Sequence, residues 1–234
     1  MGKKSKLYRA QLAKVDRTSQ YTLKDAVALL KELPQPKFNQ TVELAFKLGV
    51  DPKQTDQTVR GAIPLPKGTG KVVKVCVISD NVDLRKEASD AGADFVGFED
   101  IIGKIKEGWL DFDVLIASPS AMSQVRTLGR QLGPKGLMPN PKTGTVTEKI
   151  GHAVKEAKAG RVEFRADKGA CVQVPVGKIS FSADDITENC EALIKALLKA
   201  KPASAKGVYF LSCTISATMS PGIKIDPRTI VTKE

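Results

Sequence analysis

Residues 129–147 read GRQLGPKGLMPNPKTGTVT: four glycines, three prolines, the cations Arg130, Lys135 and Lys142, and no acid, with Arg126 just before. A segment with so much glycine and proline is not expected to form a regular helix or strand. Composition leaves two chemistries open. One is a stiff loop that closes a domain; the other is a basic loop that meets phosphate through its cations and backbone N–H groups. Signatures for catalysis are missing elsewhere. KGTGK at 67–71 precedes a strand-like run, whereas a Walker phosphate loop follows a strand and needs GxxxxGK[ST]. SDNVD after the run at 72–78 carries no dinucleotide-binding glycines. Asp111 and Asp113 mimic a metal pair but read as a solvated turn. No GxSxG occurs, and His152, the single histidine, reads as a helix-surface residue. Cys76, Cys171, Cys190 and Cys213 form no CxxC pair. They read as reduced thiols serving as small core hydrophobes, which points to a reducing compartment. No metal and no cofactor are expected.

The net charge of +11 favours a polyanionic partner, nucleic acid before acidic membrane. It is segregated along the chain. Residues 1–70 carry +7, residues 71–158 carry +1 and residues 159–234 carry +3. Within the middle, 71–125 carries −4 and 126–158 carries +5. No uncharged apolar run is long enough to span a membrane. The N-terminal MGKKSKLYRA lacks the apolar stretch of a secretory signal.

Periodicity divides the chain in the same way. Thr22 with Asp25 opens a helix whose Leu23, Ala26, Val27, Leu30 and Leu33 share a face, ended by Pro34 and Pro36. TVELAFKL at 41–48 alternates as a half-buried strand. From 71 the grammar changes to strands at 72–78, 95–97 and 113–118, with helices at 83–91, 99–107 and about 119–131. That alternation implies a parallel sheet with right-handed crossovers. Past Gly160, strands at 161–165 and 170–176 read as a hairpin turning at 167–169. A helix capped by Ser182 runs towards Pro202, followed by a strand at 207–217 and a shorter one at 222–225. Neither end has elements enough for its own core. The expectation is an α/β protein of two domains. Residues 1–68 plus 159–234 form a discontinuous α+β domain with a four- to five-stranded sheet and two helices. Residues 69–158 form an inserted, Rossmann-like three-layer α/β domain, hinged at linkers containing Gly68, Gly70 and Gly160.

The basic loop resembles the signature of the L-one family of large-subunit ribosomal proteins, in its bacterial or organellar form. FNQTVELAFKLGVDPKQTDQTVRGAIPLP at 38–66, GWLDFDVLIASP at 108–119, KAGRVEFRADK at 158–168, KGVYF at 206–210 and TISATMSP at 214–221 resemble family blocks in family order. The resemblance implies two domains with the middle inserted, and no enzyme activity. It implies binding to the stalk region of large-subunit ribosomal RNA beside the tRNA exit site, help in releasing deacylated tRNA, and repression of the protein's own messenger through an rRNA-like site. It places the protein as a monomer within the ribosome, in the cytoplasm or an organelle interior, away from membranes.

By the same resemblance the RNA surface lies on the terminal domain. Phe38 and Thr41, preceded by Lys37, match positions facing RNA; an aromatic and a hydroxyl beside a cation suit ribose and phosphate. Phe38 alone fits a core position equally. Arg165 and Lys168 match a second RNA-facing block. Thr218, Met219 and Pro221, preceded by Ser216, match a Thr-Met-Gly-Pro element in which this chain has Ser220 for the glycine. If that position needs positive φ, serine strains it. Arg130, Lys135 and Lys142 are candidates for a secondary contact with RNA or tRNA. The rivals are an α/β enzyme acting on a phosphorylated small molecule, which needs a deep pocket around 129–147, and a DNA-binding repressor, for which no helix-turn-helix pattern is evident.

Overall fold

A computed structural model describes residues 4–231, leaving out the side chains of Thr55, Lys142, Ile230 and Val231. In chain order come α1 (Lys6–Lys14), α2 (Leu23–Glu32), β1 (Thr41–Leu48), β2 (Arg60–Pro64), β3 (Val75–Ile78), α3 (Val82–Asp90), β4 (Phe95–Gly97) and α4 (Glu99–Lys106). There follow β5 (Val114–Ala117), α5 (Met122–Val125), α6 (Gly129–Leu132), α7 (Ile150–Lys158), β6 (Arg161–Arg165), β7 (Cys171–Lys178), α8 (Ala183–Lys199), β8 (Phe210–Ala217), β9 (Ile223–Ile225) and α9 (Pro227–Val231). The described residues up to Gly70 join those from Val162 onward in one compact unit, and Lys71–Arg161 forms another.

The first unit is built on a four-stranded antiparallel sheet in the order β7-β1-β8-β9. Its inward residues include Val42, Leu44, Phe46 and Leu48 of β1 with Val172, Val174 and Val176 of β7. Cys213 and Ile215 of β8 continue the same face. They pack against Ala26, Val27 and Leu30 of α2 and Ile186, Cys190, Leu193 and Leu197 of α8. Each fully buried large side chain here contributes roughly 1.5–3 kcal/mol by leaving water. Both helices are capped as the sequence indicates. Thr22 Oγ1 accepts from Asp25 N, and Ser182 Oγ accepts from Asp185 N at 3.0 Å. Buried Asn189 of α8 fastens the 67–68 segment: its Oδ1 accepts from Lys67 N, and its Nδ2 donates to Gly68 O and Val176 O.

The second unit has a parallel sheet in the order β4-β3-β5. Alternation within β3 explains its layers. Val75 and Val77 meet Ala88 of α3 with Ile150, Ala153, Val154 and Ala157 of α7. Cys76 and Ile78 meet Ile101 and Ile105 of α4 with Val125, Leu128 and Leu132 beyond β5. Lysines answer the two aspartates that resemble a metal pair: Lys74 Nζ lies 2.8 Å from Asp111 and Lys71 Nζ lies 2.5 Å from Asp113. The hydrogen bond from Lys71 holds the Asp113 carboxyl below its ordinary range. His152 is an exposed residue of α7.

Several expectations need correction. Strands β6 and β7 do not pair with each other; β6 pairs with β2, a strand that the sequence reading missed. The Phe164 ring lies over Gly61 so closely that a Cβ there would come within 2.7 Å of it, so the glycine permits that pairing. The helix expected at about 119–131 is two short α-turns separated by a 3₁₀ turn at Arg126–Leu128. The second of those turns, Gly129–Leu132, falls where the expected helix overlaps the glycine- and proline-rich stretch expected to be irregular. The strand expected from 72 begins at 75, and Val72 is exposed. Cys171 is only half-buried; the other three thiols are core residues.

Replacing Asn189 with leucine is expected to strand three backbone partners and to lower unfolding free energy by about 3 kcal/mol, read from the denaturant midpoint. Burial pushes the Cys76 and Cys190 thiols up to about 12 and raises that of Cys213 as well. An aromatic disulfide reagent at pH 8 should therefore titrate one thiol in the folded protein, Cys171, and four after unfolding.

Candidate RNA interface

Because helices cover one face of the four-stranded sheet, the other face presents alternate residues of each strand. Register sets them in rows across the sheet. Pro175, Glu43 and Ser216 form the first row; Gln173, Ala45 and Thr214 form the second, extended by Lys224 of β9. Cys171, Lys47 and Ser212 form the third. Every residue of these rows is exposed or half-buried. The face is therefore rich in hydroxyls and small side chains, and crossed by lysines. Such a surface lets a ribose–phosphate chain approach closely.

One end of the face carries most of the candidate residues. Leading into β1, Lys37 and Phe38 are exposed, Phe38 at 51%, which excludes the core position. Asn39 exchanges two hydrogen bonds with Ser180. Residues 217–221 lie beside them. Thr218 N donates to Thr41 O at 3.1 Å, and Thr218 Oγ1 accepts from Thr41 N at 3.2 Å. Lys178 Nζ donates to Thr41 Oγ1 at 2.8 Å, which brings a cation to the same corner. Met219 stands out at 52% exposure, Thr218 is exposed, and Ser216 is half-buried. Pro221 is buried, so it offers a fixed turn rather than a contact surface.

Ser220 does not have the left-handed backbone; Ala170 is the one non-glycine residue with positive φ among those described. Its hydroxyl accepts from Ala217 N at 2.8 Å, while its own N–H donates to Ala217 O. The serine thus closes the turn with a bond that glycine could not make.

Arg165 and Lys168 are exposed, but they sit at the opposite end of the sheet. Ala166 N donates to Val59 O, and Leu48 N donates to Ala170 O. Lys47 Nζ reaches Gly169 O. Thr41 and Lys47 are separated by six residues of strand, or about 20 Å. The candidates therefore form two patches joined by the open face, not one cluster.

In the second unit, the 129–147 loop fits both readings of its composition. Leu137 and Met138 pack on the core, and Thr143 and Thr145 are buried. Arg161 ties the loop down, donating to Thr143 O and pairing with Glu156 at 2.6 Å. Arg130 and Lys135 point to solvent; the Lys142 side chain lies outside the described residues. Among the described residues, no group of three or more His, Cys, Asp or Glu is placed to hold a metal ion. No described helix is long and apolar enough to cross a membrane.

Sequence reading missed Gln40 and Lys178. Gln40 had a visible signal: it shares the inward parity of Val42, Leu44 and Phe46, so a polar side chain falls at a position due for burial. Lys178 had none, because only strand pairing brings it to Thr41.

The chain matches the Ribosomal protein L1p/L10e family over residues 29–221, from within α2 to the end of the 217–221 turn. The match takes in both patches and the basic loop between them in sequence. The protein belongs to that family: it is a structural component of the large ribosomal subunit that binds ribosomal RNA there, and not an enzyme.

Proposed function

We propose that the unit formed by the described residues up to Gly70 and from Val162 onward grips the stalk region of large-subunit ribosomal RNA beside the tRNA exit site. Lys37, Phe38, Thr41, Ser216, Thr218, Met219 and Ser220 make the primary contact, with Pro221 fixing the turn. Arg165 and Lys168 make a second contact about 20 Å away. The observation that carries this reading is the corner where exposed Phe38 and Met219 flank the hydroxyls of Thr41 and Thr218, with Lys37 and Lys178 at hand. Cations draw in phosphates, hydroxyl and backbone groups read ribose 2′-OH positions, and the two apolar side chains cover sugar or base. On this reading the terminal segments work as one RNA-binding domain, with 69–158 inserted in it. The same surface recognises a mimic of the rRNA site in the protein's own messenger and represses its translation. The exposed cations of the second unit help release deacylated tRNA. These activities belong to ribosomes of a bacterial cytoplasm or an organelle interior.

Binding of the purified protein to a stalk-base fragment, across a salt series and against a duplex RNA of equal length, tests the main claim. The fragment should bind at least about tenfold more tightly than the duplex at moderate salt. Thr218→Ala or Met219→Ala should remove most of that preference. Equal, steeply salt-dependent binding to both RNAs would reduce the surface to a generic basic patch. For the tRNA role, a double Arg130→Glu, Lys135→Glu protein should slow dissociation of deacylated tRNA from ribosomes lacking the native protein and reconstituted with the variant. An unchanged rate removes the loop from the mechanism.

A further inference from the structure

The exposed corner rests on a buried side chain that the RNA reading does not use. Gln40 is fully buried, immediately before Thr41. Its Oε1 accepts from Met219 N at 2.7 Å. Its Nε2 donates to Gln35 Oε1. Gln35 Nε2 in turn donates to Leu33 O at 3.0 Å and Leu30 O at 3.2 Å, at the C-terminal end of α2. Carbonyl oxygens only accept and the Met219 amide only donates, so the polarity of the chain is fixed at both ends. Each glutamine then has one orientation that satisfies its neighbours. The relay runs from the end of α2, through two amides, to the backbone of Met219, whose side chain is exposed in the 217–221 turn.

Its geometric effect is specific. With the Met219 N–H turned inward onto Gln40, the Met219 side chain is directed out to solvent. Ser220 and Thr218 close the same turn from either side, through Ala217 and Thr41. Neither of them engages the Met219 amide.

We propose that Gln40 is a positioning residue for RNA binding: without touching RNA, it holds the Met219 backbone in the orientation that presents the 218–220 hydroxyls and the Met219 side chain, and Gln35 anchors it to α2. The proposal rests on the RNA reading of this corner. It also makes RNA affinity follow one buried hydrogen bond rather than the stability of the fold.

Two substitutions separate those quantities. Gln40→Met keeps the shape and loses both polar contacts. Gln35→Met leaves Gln40 Oε1 to accept from Met219 N, removes the link to α2 and adds no charge beside the RNA surface. Both should lower the unfolding midpoint, because both break the link to α2. Only Gln40→Met should free the Met219 amide and weaken binding to the stalk-base fragment by about tenfold, the scale of one buried hydrogen bond. Gln35→Met should stay within about twofold of wild type. Amide hydrogen exchange at Met219, in the protein without RNA, reads the bond directly: fast in Gln40→Met and slow in Gln35→Met. Wild-type affinity in a Gln40→Met protein with a freely exchanging Met219 amide overturns the proposal. Equal losses of affinity in both variants, in proportion to their midpoints, also overturn it and leave a purely structural residue. If wild type itself shows no preference for the stalk fragment, the RNA reading falls and takes the proposal with it. That outcome is distinct from one in which wild type binds and Gln40→Met binds equally well.

Discussion

Strand β1 has no sheet partner from its own part of the chain. Its backbone groups are satisfied on both sides by strands that begin more than 120 residues later, β7 and β8. A central strand with unpaired N–H and C=O groups would cost several kcal/mol, so this pairing is the constraint on which the first unit depends. It closes the core of α2 and α8. It sets the rows of the open face. Through the register Val42↔Ala217 it brings residues 38–41 against 217–221. The corner read as the RNA contact is therefore a product of long-range pairing, and everything that slackens β1 against β8 dismantles the corner first.

The asymmetry of the sheet follows from supply. Helices α2 and α8 both pack on one face, where the apolar residues of the strands need cover. The other face is left to polar and small residues. Its single negative side chain in the three rows is Glu43, set against Lys47 and Lys224, with Lys178 at the corner. A face of this kind has little apolar driving force for binding another protein. It suits a hydrated polyanion, for which charge supplies attraction and hydroxyl placement supplies discrimination.

What the sequence made legible was local. The alternation of 41–48, the Thr22 and Ser182 caps, and the β-branched run ending at Ile78 each carry their signal within a few residues, and the structure bears them out. The α/β class followed from the order of those elements. Partnerships were not legible. Residues 161–165 and 170–176 look like a hairpin because they are adjacent and strand-like, yet β6 finds β2, a short run with glycine and proline and a weak strand signal of its own. The candidate contacts divided in the same way. Residues 38–41 and 216–221 were drawn from separate blocks and prove neighbours, while Arg165 and Lys168 lie at the other end of the sheet. The family resemblance marked them; only register could say which stood together. Gln40 shows the intermediate case, a polar residue at inward parity that signalled burial but not its partners.

The central claim is that one unit, through one end of its open sheet face, meets ribosomal RNA. Amide hydrogen exchange across the whole protein, with and without the stalk-base fragment, tests it most directly. Exchange should slow at 38–41 and 216–220, less so at 165–168, and not at all at 71–125. Slowing confined to 129–147 or to the rest of the 71–161 unit, with 38–41 and 216–220 unaffected, would contradict it.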